Sequence, residues 1–258
     1  MPTELSYEEL GHVGVITLQR PEARNALTFT TYRELEEAVR TTTARCLVIT
    51  GADPAFCSGD DVKQVMTAVA DDASAGRERR EPALTPAADA LLHTDVPIIA
   101  AVNGAAVGWG MELALMADIR VASEKAKLGE LFVLRGLCSD VAGLGRLAQL
   151  VGRERAAELL FTGRVVDAAE AERIGLVSRV VPHEELMPTA LALAEAIAAN
   201  PPLAVQSLKA GLRRALDPDW RDLGAWVTST LGRLFTTEDH REGARAFLEK
   251  RAPVFTGR

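Results

Sequence analysis

Three short apolar runs constrain this chain more than any other feature: RCLVIT at 45–50, VPIIAAVNG at 96–104 and DIRVAS at 118–123. The first is a short β-branched run, better suited to a buried strand than a helix, and the other two read as buried strands of similar length, the third carrying Arg120 between Ile119 and Val121. A strand apolar on both faces needs cover on both, which parallel sheets gain from intervening helices. Segments of helical spacing separate the runs. The alternation therefore predicts an α/β fold with largely parallel strands.

Before these runs, LSYEELGHVGVITLQRP reads as two short strands about a glycine turn, closed by Pro21. Residues 28–43 read as a helix that Thr28 can cap, with Leu35, Ala38 and Val39 on its apolar face. A helix is expected over DVKQVMTAVA. The charged, non-periodic DDASAGRERREP at 71–82 reads as a surface loop, or as a lid over a ligand. From Gly143 onward the pattern is almost wholly helical, with helices expected near 141–150, 153–161, 167–174, 183–199, 201–216, 219–235 and 238–250. One strand, GLVSRVV, interrupts them. Asn200-Pro201-Pro202 is the clearest punctuation, and it divides an expected core, 1–200, from a C-terminal helical unit, 201–258.

The 258 residues are 48% apolar and 25% charged, enough for a sizeable globular core. A net charge of −7 argues against a nucleic-acid surface, which needs a basic stripe, but leaves room for an anionic ligand held by local cations. The N-terminus carries acids where a secretion signal needs cations, and no apolar run nears the ~20 residues of a membrane span. Three cysteines without a CxxC, and four histidines without HxH or HExxH, suggest neither a disulfide framework nor a metal centre. A cytoplasmic protein is expected, with no metal, membrane or nucleic-acid partner.

Two loops attract attention together. VIT-GADPAFCSGDD leaves one buried strand and enters a helix through Ser58-Gly59; AAV-NGAAVGWGMEL leaves another through Gly108-Trp109-Gly110. Helix N-termini present unpaired N–H groups at the carboxyl ends of strands, where open α/β proteins place ligands. Two such turns side by side would aim two donors at one oxygen, an oxyanion hole. Plain tight turns would look the same. The glycines at 104, 108 and 110 are spaced GxxxGxG rather than GxGxxG, and there is no Walker A or GxSxG pattern. Cys57 reads as a small buried residue. Glu112 stands out, a single carboxylate inside the apolar run after Gly110.

The segments AFCSGDDVK, AAVNGAAVGWGMELALMADIRVAS, LGRLAQLVG with AAELLFTGRVVDAAEAERIGLVSRVV, and EGARAFLEKRAPVF together resemble the enoyl-CoA hydratase/isomerase (crotonase) family. The resemblance covers nearly the whole chain, in order. It implies a spiral of ββα units, a C-terminal helical trimerisation region, a homotrimer or homohexamer, acyl-CoA thioester substrates, and no metal or redox cofactor. By position it puts the oxyanion-hole N–H groups on Ser58 and Trp109, with a tryptophan where glycine is usual. It matches Ala23 and Arg24 to the segment along the CoA nucleotide, Asp60, Asp61 and Val62 to the loop after the first donor, and Lys250 to a cation reaching a CoA phosphate, often in a neighbouring subunit. Arg24 and Lys250 could equally be solvated surface charges.

Family hydratases use two glutamates around a water. The first falls on Glu112, where an apolar setting should raise the pKa; pairing with a buried cation is the plainer alternative. The second falls on Phe132, which cannot transfer a proton. Asp140 matches an aspartate kept by dienoyl-CoA isomerases and an aryl-CoA dehalogenase in the family; it also stands where it could simply cap a helix, whose N–H groups would lower its pKa. Glu130 is a weaker substitute. Enoyl-CoA hydration is the expected activity, with double-bond isomerisation close behind, while thioester hydrolysis or dehalogenation through Asp140, or acyl-CoA binding without turnover, stay open.

Overall fold

The computed structural model describes residues 3–61, 64 and 83–258. An antiparallel hairpin, β1 (Leu5–Leu10) and β2 (Val13–Leu18), leads to α1 (Phe29–Thr41). Thr28 caps α1 through its hydroxyl, which accepts from the Thr30 and Thr31 N–H groups, and Leu35, Ala38 and Val39 are buried as their spacing requires. Three ββα turns follow. They are β3 (Cys46–Gly51), β4 (Ala55–Cys57) and α2 (Pro86–His93), then β5 (Ile98–Val102), β6 (Ala105–Val107) and α3 (Trp109–Met116), then β7 (Ile119–Ser123), β8 (Lys127–Gly129) and α4 (Val141–Gly145), a 3₁₀ turn at Phe132–Arg135 preceding α4. The expected helix over DVKQVMTAVA, apart from Asp61 and Gln64, lies outside the described residues, as does the 71–82 loop.

The first strand of each turn joins a six-stranded sheet of order β1-β2-β3-β5-β7-β10, parallel from β2 onward. The second strands form a separate four-stranded sheet, β4-β6-β8-β9, where β9 is Val166–Asp167 and β10 is Arg179–Val181. This is the α/β spiral of ββα units that the resemblance implies. The three-residue strands of the second sheet are too short to carry a period, so they read as loops in the sequence. The strand expected over GLVSRVV shortens to β10 for the same reason.

Between β8 and the C-terminus run α5 (Leu147–Val151), α6 (Arg153–Thr162), α7 (Ala168–Arg173), α8 (Leu186–Ala198), α9 (Pro202–Leu216), α10 (Trp220–Leu234) and α11 (Glu238–Leu248). The single helix expected at 141–150 is two helices meeting at Arg146. On α8, Leu186, Ala190, Ala194 and Ala198 recur every four residues and pack on Val48, Ile99, Ala101 and Val121 of the large sheet. The opposite face of the same strands meets α1, α2 and α3 in the main core. Cover on both faces is why β3 and β5 read as unbroken apolar runs.

The C-terminal helices brace α4 and the segments before it. The Lys209 ammonium of α9 donates to the Val96 carbonyl and pairs with Asp118, both at 2.8 Å. Trp220 of α10 lies against Gly145, and Arg146 pairs with Asp217 at 2.6 Å. His240 of α11 contacts the Arg135 carbonyl at 2.8 Å. Among the described residues no helix is long and apolar enough to cross a membrane.

Candidate active site

Strands β4 and β6 are adjacent and parallel, with Cys57 beside Ala106, so the loops at their carboxyl ends run out together. Gly108 has φ 55° and ψ −128°, a conformation that only glycine adopts at little cost, and it turns the chain into α3. A Cβ on Gly110 would stand 2.1 Å from the Cys57 carbonyl oxygen. The two glycines therefore let the first turn of α3 press against the β4 loop.

Of the two donors expected on these loops, Ser58 is not available. The Ser58 N–H donates to the Arg24 carbonyl at 3.0 Å, and the Ser58 hydroxyl donates to the Ala23 carbonyl at 3.2 Å. An N–H already bonded within the protein is not free for a ligand oxygen, so the Ser58 assignment is corrected. One residue further on the loop is pinned by Leu27, which donates to the Gly59 carbonyl and accepts from Asp61 N–H, both at 2.8 Å. That leaves the N–H of Asp60 between them without an acceptor among the described residues, and the N–H of Trp109 likewise. The loops touch: a Cβ on Gly59 would lie 3.2 Å from the Trp109 nitrogen.

Glu112 is completely buried one turn into α3, three residues after Trp109 and so on the same helical face. It has no cation. Its Oε2 accepts from the Ala142 and Gly143 N–H groups at 2.8 and 3.0 Å, and its Oε1 accepts from the Ser139 hydroxyl at 2.9 Å. Burial, then the neighbouring Glu130 and Asp140 carboxyls, raise its pKa well above the usual carboxylate range. Asp140 does stand at the N-cap of α4, but its Oδ1 accepts only from Val141 N–H, at 2.8 Å. Glu112 takes the next two N–H groups of that turn. Asp140's pKa is accordingly raised, by burial that outweighs the Val141 N–H and the Trp109 indole, and the expected lowering is corrected. Three consecutive N–H groups thus hold two carboxyls side by side.

Aromatic rings frame these acids. The Trp109 indole N–H donates to Asp140 Oδ2 at 3.1 Å, and the ring meets Tyr32 edge-on at 4.7 Å. The Tyr32 hydroxyl donates to Asp60 Oδ1 at 2.6 Å. Burial pushes the Asp60 carboxyl up to about 6 and the Cys57 thiol up to about 12, which leaves Cys57 an unreactive core residue. Tyr32 and Ser139 escaped the sequence reading because no spacing links them to the loops they serve. The freedom of the Asp60 N–H escaped it because it depends on bonds made by Leu27.

Of the other expected positions, Ala23 and Arg24 form the turn that holds Ser58, and the Arg24 side chain is exposed. Asp61 pairs with Arg20 at 3.0 Å beside that turn. Lys250 is exposed beyond α11, and no contact joins it to these loops in the single chain. Val62 lies outside the described residues. Among the described residues, no group of three or more His, Cys, Asp or Glu side chains is placed to hold a metal ion.

Known proteins resemble this chain over nearly its whole length. The chain is similar to YngF of Bacillus subtilis strain 168, 39% identical over 253 residues that span 95% of each protein. It is 36% identical to a short-chain-enoyl-CoA hydratase of Clostridium acetobutylicum, across 95% of this chain and 94% of that one. A crystal structure of carnitinyl-CoA hydratase from Mycobacterium avium superposes with a TM-score of 0.82 at 36% identity, covering all of both chains. The sequence model for enoyl-CoA hydratase/isomerase matches residues 8–258. The chain belongs to the enoyl-CoA hydratase/isomerase family.

Proposed function

We propose that this enzyme holds the thioester carbonyl of an enoyl-CoA between the Asp60 and Trp109 N–H groups, and that Glu112 and Asp140 move the protons. One observation carries this reading: a buried carboxyl, Glu112, and a half-buried one, Asp140, sit side by side on three consecutive N–H groups at the foot of α4, beneath loops with two donors that have no acceptor among the described residues. In hydration, Glu112 takes a proton from water as the water oxygen bonds to Cβ. The double-bond electrons pass to the thioester oxygen, where the two N–H groups meet the developing charge. Asp140, whose carboxyl pKa burial raises above its ordinary value, returns a proton to Cα and is reprotonated through solvent as Glu112 gives up the proton it took. Burial raises both acids, but three donors converge on Glu112 against two on Asp140, so Glu112 is the one held as the ionised base and Asp140 the proton donor.

Isomerisation is the second reading, favoured by Phe132 at the position of the family's second glutamate. The same groups would then shuttle a carbon-bound proton without holding a water. Hydrolysis by Asp140 attack is disfavoured because both its oxygens are held, one by Val141 and one by the indole. Crotonyl-CoA and trans-3-hexenoyl-CoA incubated in D₂O separate the readings. Addition of one D₂O to crotonyl-CoA supports hydration, and a conjugated product from the 3-enoyl ester without net addition supports isomerisation. Release of CoA, or no product at all, would sink both.

Ala23, Arg24, Asp61 and Val62 are the proposed CoA contacts, with Lys250 reaching CoA phosphate from a neighbouring subunit. An oligomer through residues 201–258 is supported by Leu203, Leu208, Leu212 and Leu216 of α9, which are 60–77% exposed in the single chain. A trimer or paired trimers should give three or six times the chain mass by light scattering, and Leu208→Asp with Leu212→Asp should dissociate them. An active monomer at micromolar concentration would contradict this.

A further inference from the structure

The Ser139 hydroxyl touches two carboxyls at once. Its Oγ is 2.9 Å from Glu112 Oε1 and 2.6 Å from Glu130 Oε2. A hydroxyl has one hydrogen to give, and an ionised carboxylate has none. If both glutamates were ionised, one of these short contacts would press lone pair against lone pair in a site closed to water. One of the two acids must therefore supply a hydrogen. Gly143 shows how tightly the trio is packed: a Cβ there would lie 2.1 Å from Ser139 Oγ, 2.7 Å from Glu112 Oε1 and 3.1 Å from the Glu130 carboxyl carbon.

The remaining partners decide which acid it is. Glu112 already accepts two backbone N–H groups on Oε2, so its charge would be met by three donors. Glu130, only 2% exposed, has a buried Oε1 that no N–H or hydroxyl reaches among the described residues, and the other acid, Glu112, is its close neighbour. An ionised Glu130 would leave charge on an oxygen that nothing satisfies, whereas a neutral acid leaves only a bare carbonyl oxygen. The groups that titrate around it are Glu112 on α3 and Asp140 before α4, with the Cys138 thiol, itself pushed up to about 11, on the Glu112 side. No cation among the described residues faces it.

We propose that Glu130 is a positioning residue for the reaction: it carries a proton on Oε2, donates it to Ser139, and so turns the Ser139 hydrogen onto Glu112, holding Glu112 as the ionised base. The proposal rests on the reading of Glu112 as the group that takes a proton from substrate water or carbon. In one turnover Glu112 gains that proton and gives it up again, while the Glu130 proton stays in place and cancels a charge that would otherwise stand beside the enolate. The role is open to glutamine, whose amide N–H can donate to Ser139 as the neutral acid does.

A pH profile tests this with crotonyl-CoA as the probe. Burial pushes Glu130 up to about 8 and raises Glu112 as well, so the two acids together keep a proton near pH 7. The three donors on Glu112 place that proton on Glu130, and raising the pH into the alkaline range removes it, draws the Ser139 hydrogen away from Glu112 and adds a second negative charge. The wild-type rate should fall across that range. Glu130→Gln should keep activity near pH 7 within ~3-fold and lose the alkaline fall, while Ser139→Ala should be ~10-fold slower or more with its profile no longer set by Glu130. An unchanged alkaline fall in Glu130→Gln overturns the proposal. A neutron structure of the unliganded protein near pD 7 reads it without substrate: deuterium on Glu130 Oε2 and none on Glu112 supports it, and deuterium on Glu112, or on neither, overturns it. Failure of the active-site reading shows separately, as normal turnover by Glu112→Gln.

Discussion

Turnover of an enoyl-CoA is expected to fall by ~10²–10⁴-fold on Glu112→Gln, with acyl-CoA affinity nearly unchanged. The substitution is conservative for the fold. A glutamine carbonyl can still accept the Ala142 and Gly143 N–H groups, and its amide can reach Ser139, so the foot of α4 stays capped. The capacity to take up a proton is what disappears. Calorimetry with acetyl-CoA and a thermal melt, run beside the rate measurement, separate loss of chemistry from loss of fold. A stable, binding-competent Glu112→Gln enzyme with normal rates would mean that Glu112 only caps α4.

The second large effect belongs to a backbone donor. Trp109→Pro should be slower than Trp109→Ala by the ~10²–10³-fold assigned to one oxyanion donor. Trp109 is the first residue of α3, where proline is accepted because the N–H has no helical partner. Both variants lose the indole bond to Asp140 and the edge contact with Tyr32, so those losses cancel in the comparison. Only proline also loses the N–H. Equal rates for the two would show that residue 109 acts through its ring alone.

The large sheet was legible because β3 and β5 are covered on both faces, which writes an unbroken apolar run into the sequence. The second sheet was not, since three residues cannot display a period. Glu112 was visible as a carboxylate out of place in an apolar helix. Its partners were not: 112, 130 and 139 meet only because β8, the 3₁₀ turn and α4 fold back over α3. Ser58 illustrates the limit of position alone. It lies on the expected loop, yet its N–H points back to Arg24, and the adjacent backbone bonds of Leu27 leave Asp60 as the free donor. Asp140 shows the same limit in its electrostatics. Its place at a helix start suggested a lowered pKa, but Glu112 reaches across from α3 and takes the N–H groups that would have lowered it.

The pairing of the Asp60 and Trp109 N–H groups with the proton-moving Glu112 is the claim on which the rest depends, and a crystal structure of the protein with acetoacetyl-CoA measures it. The thioester oxygen should lie about 2.7–3.1 Å from both the Asp60 and Trp109 nitrogens, with the acyl chain against Glu112. A thioester oxygen bound to the Ser58 N–H, or one that approaches neither Asp60 nor Trp109, would contradict it.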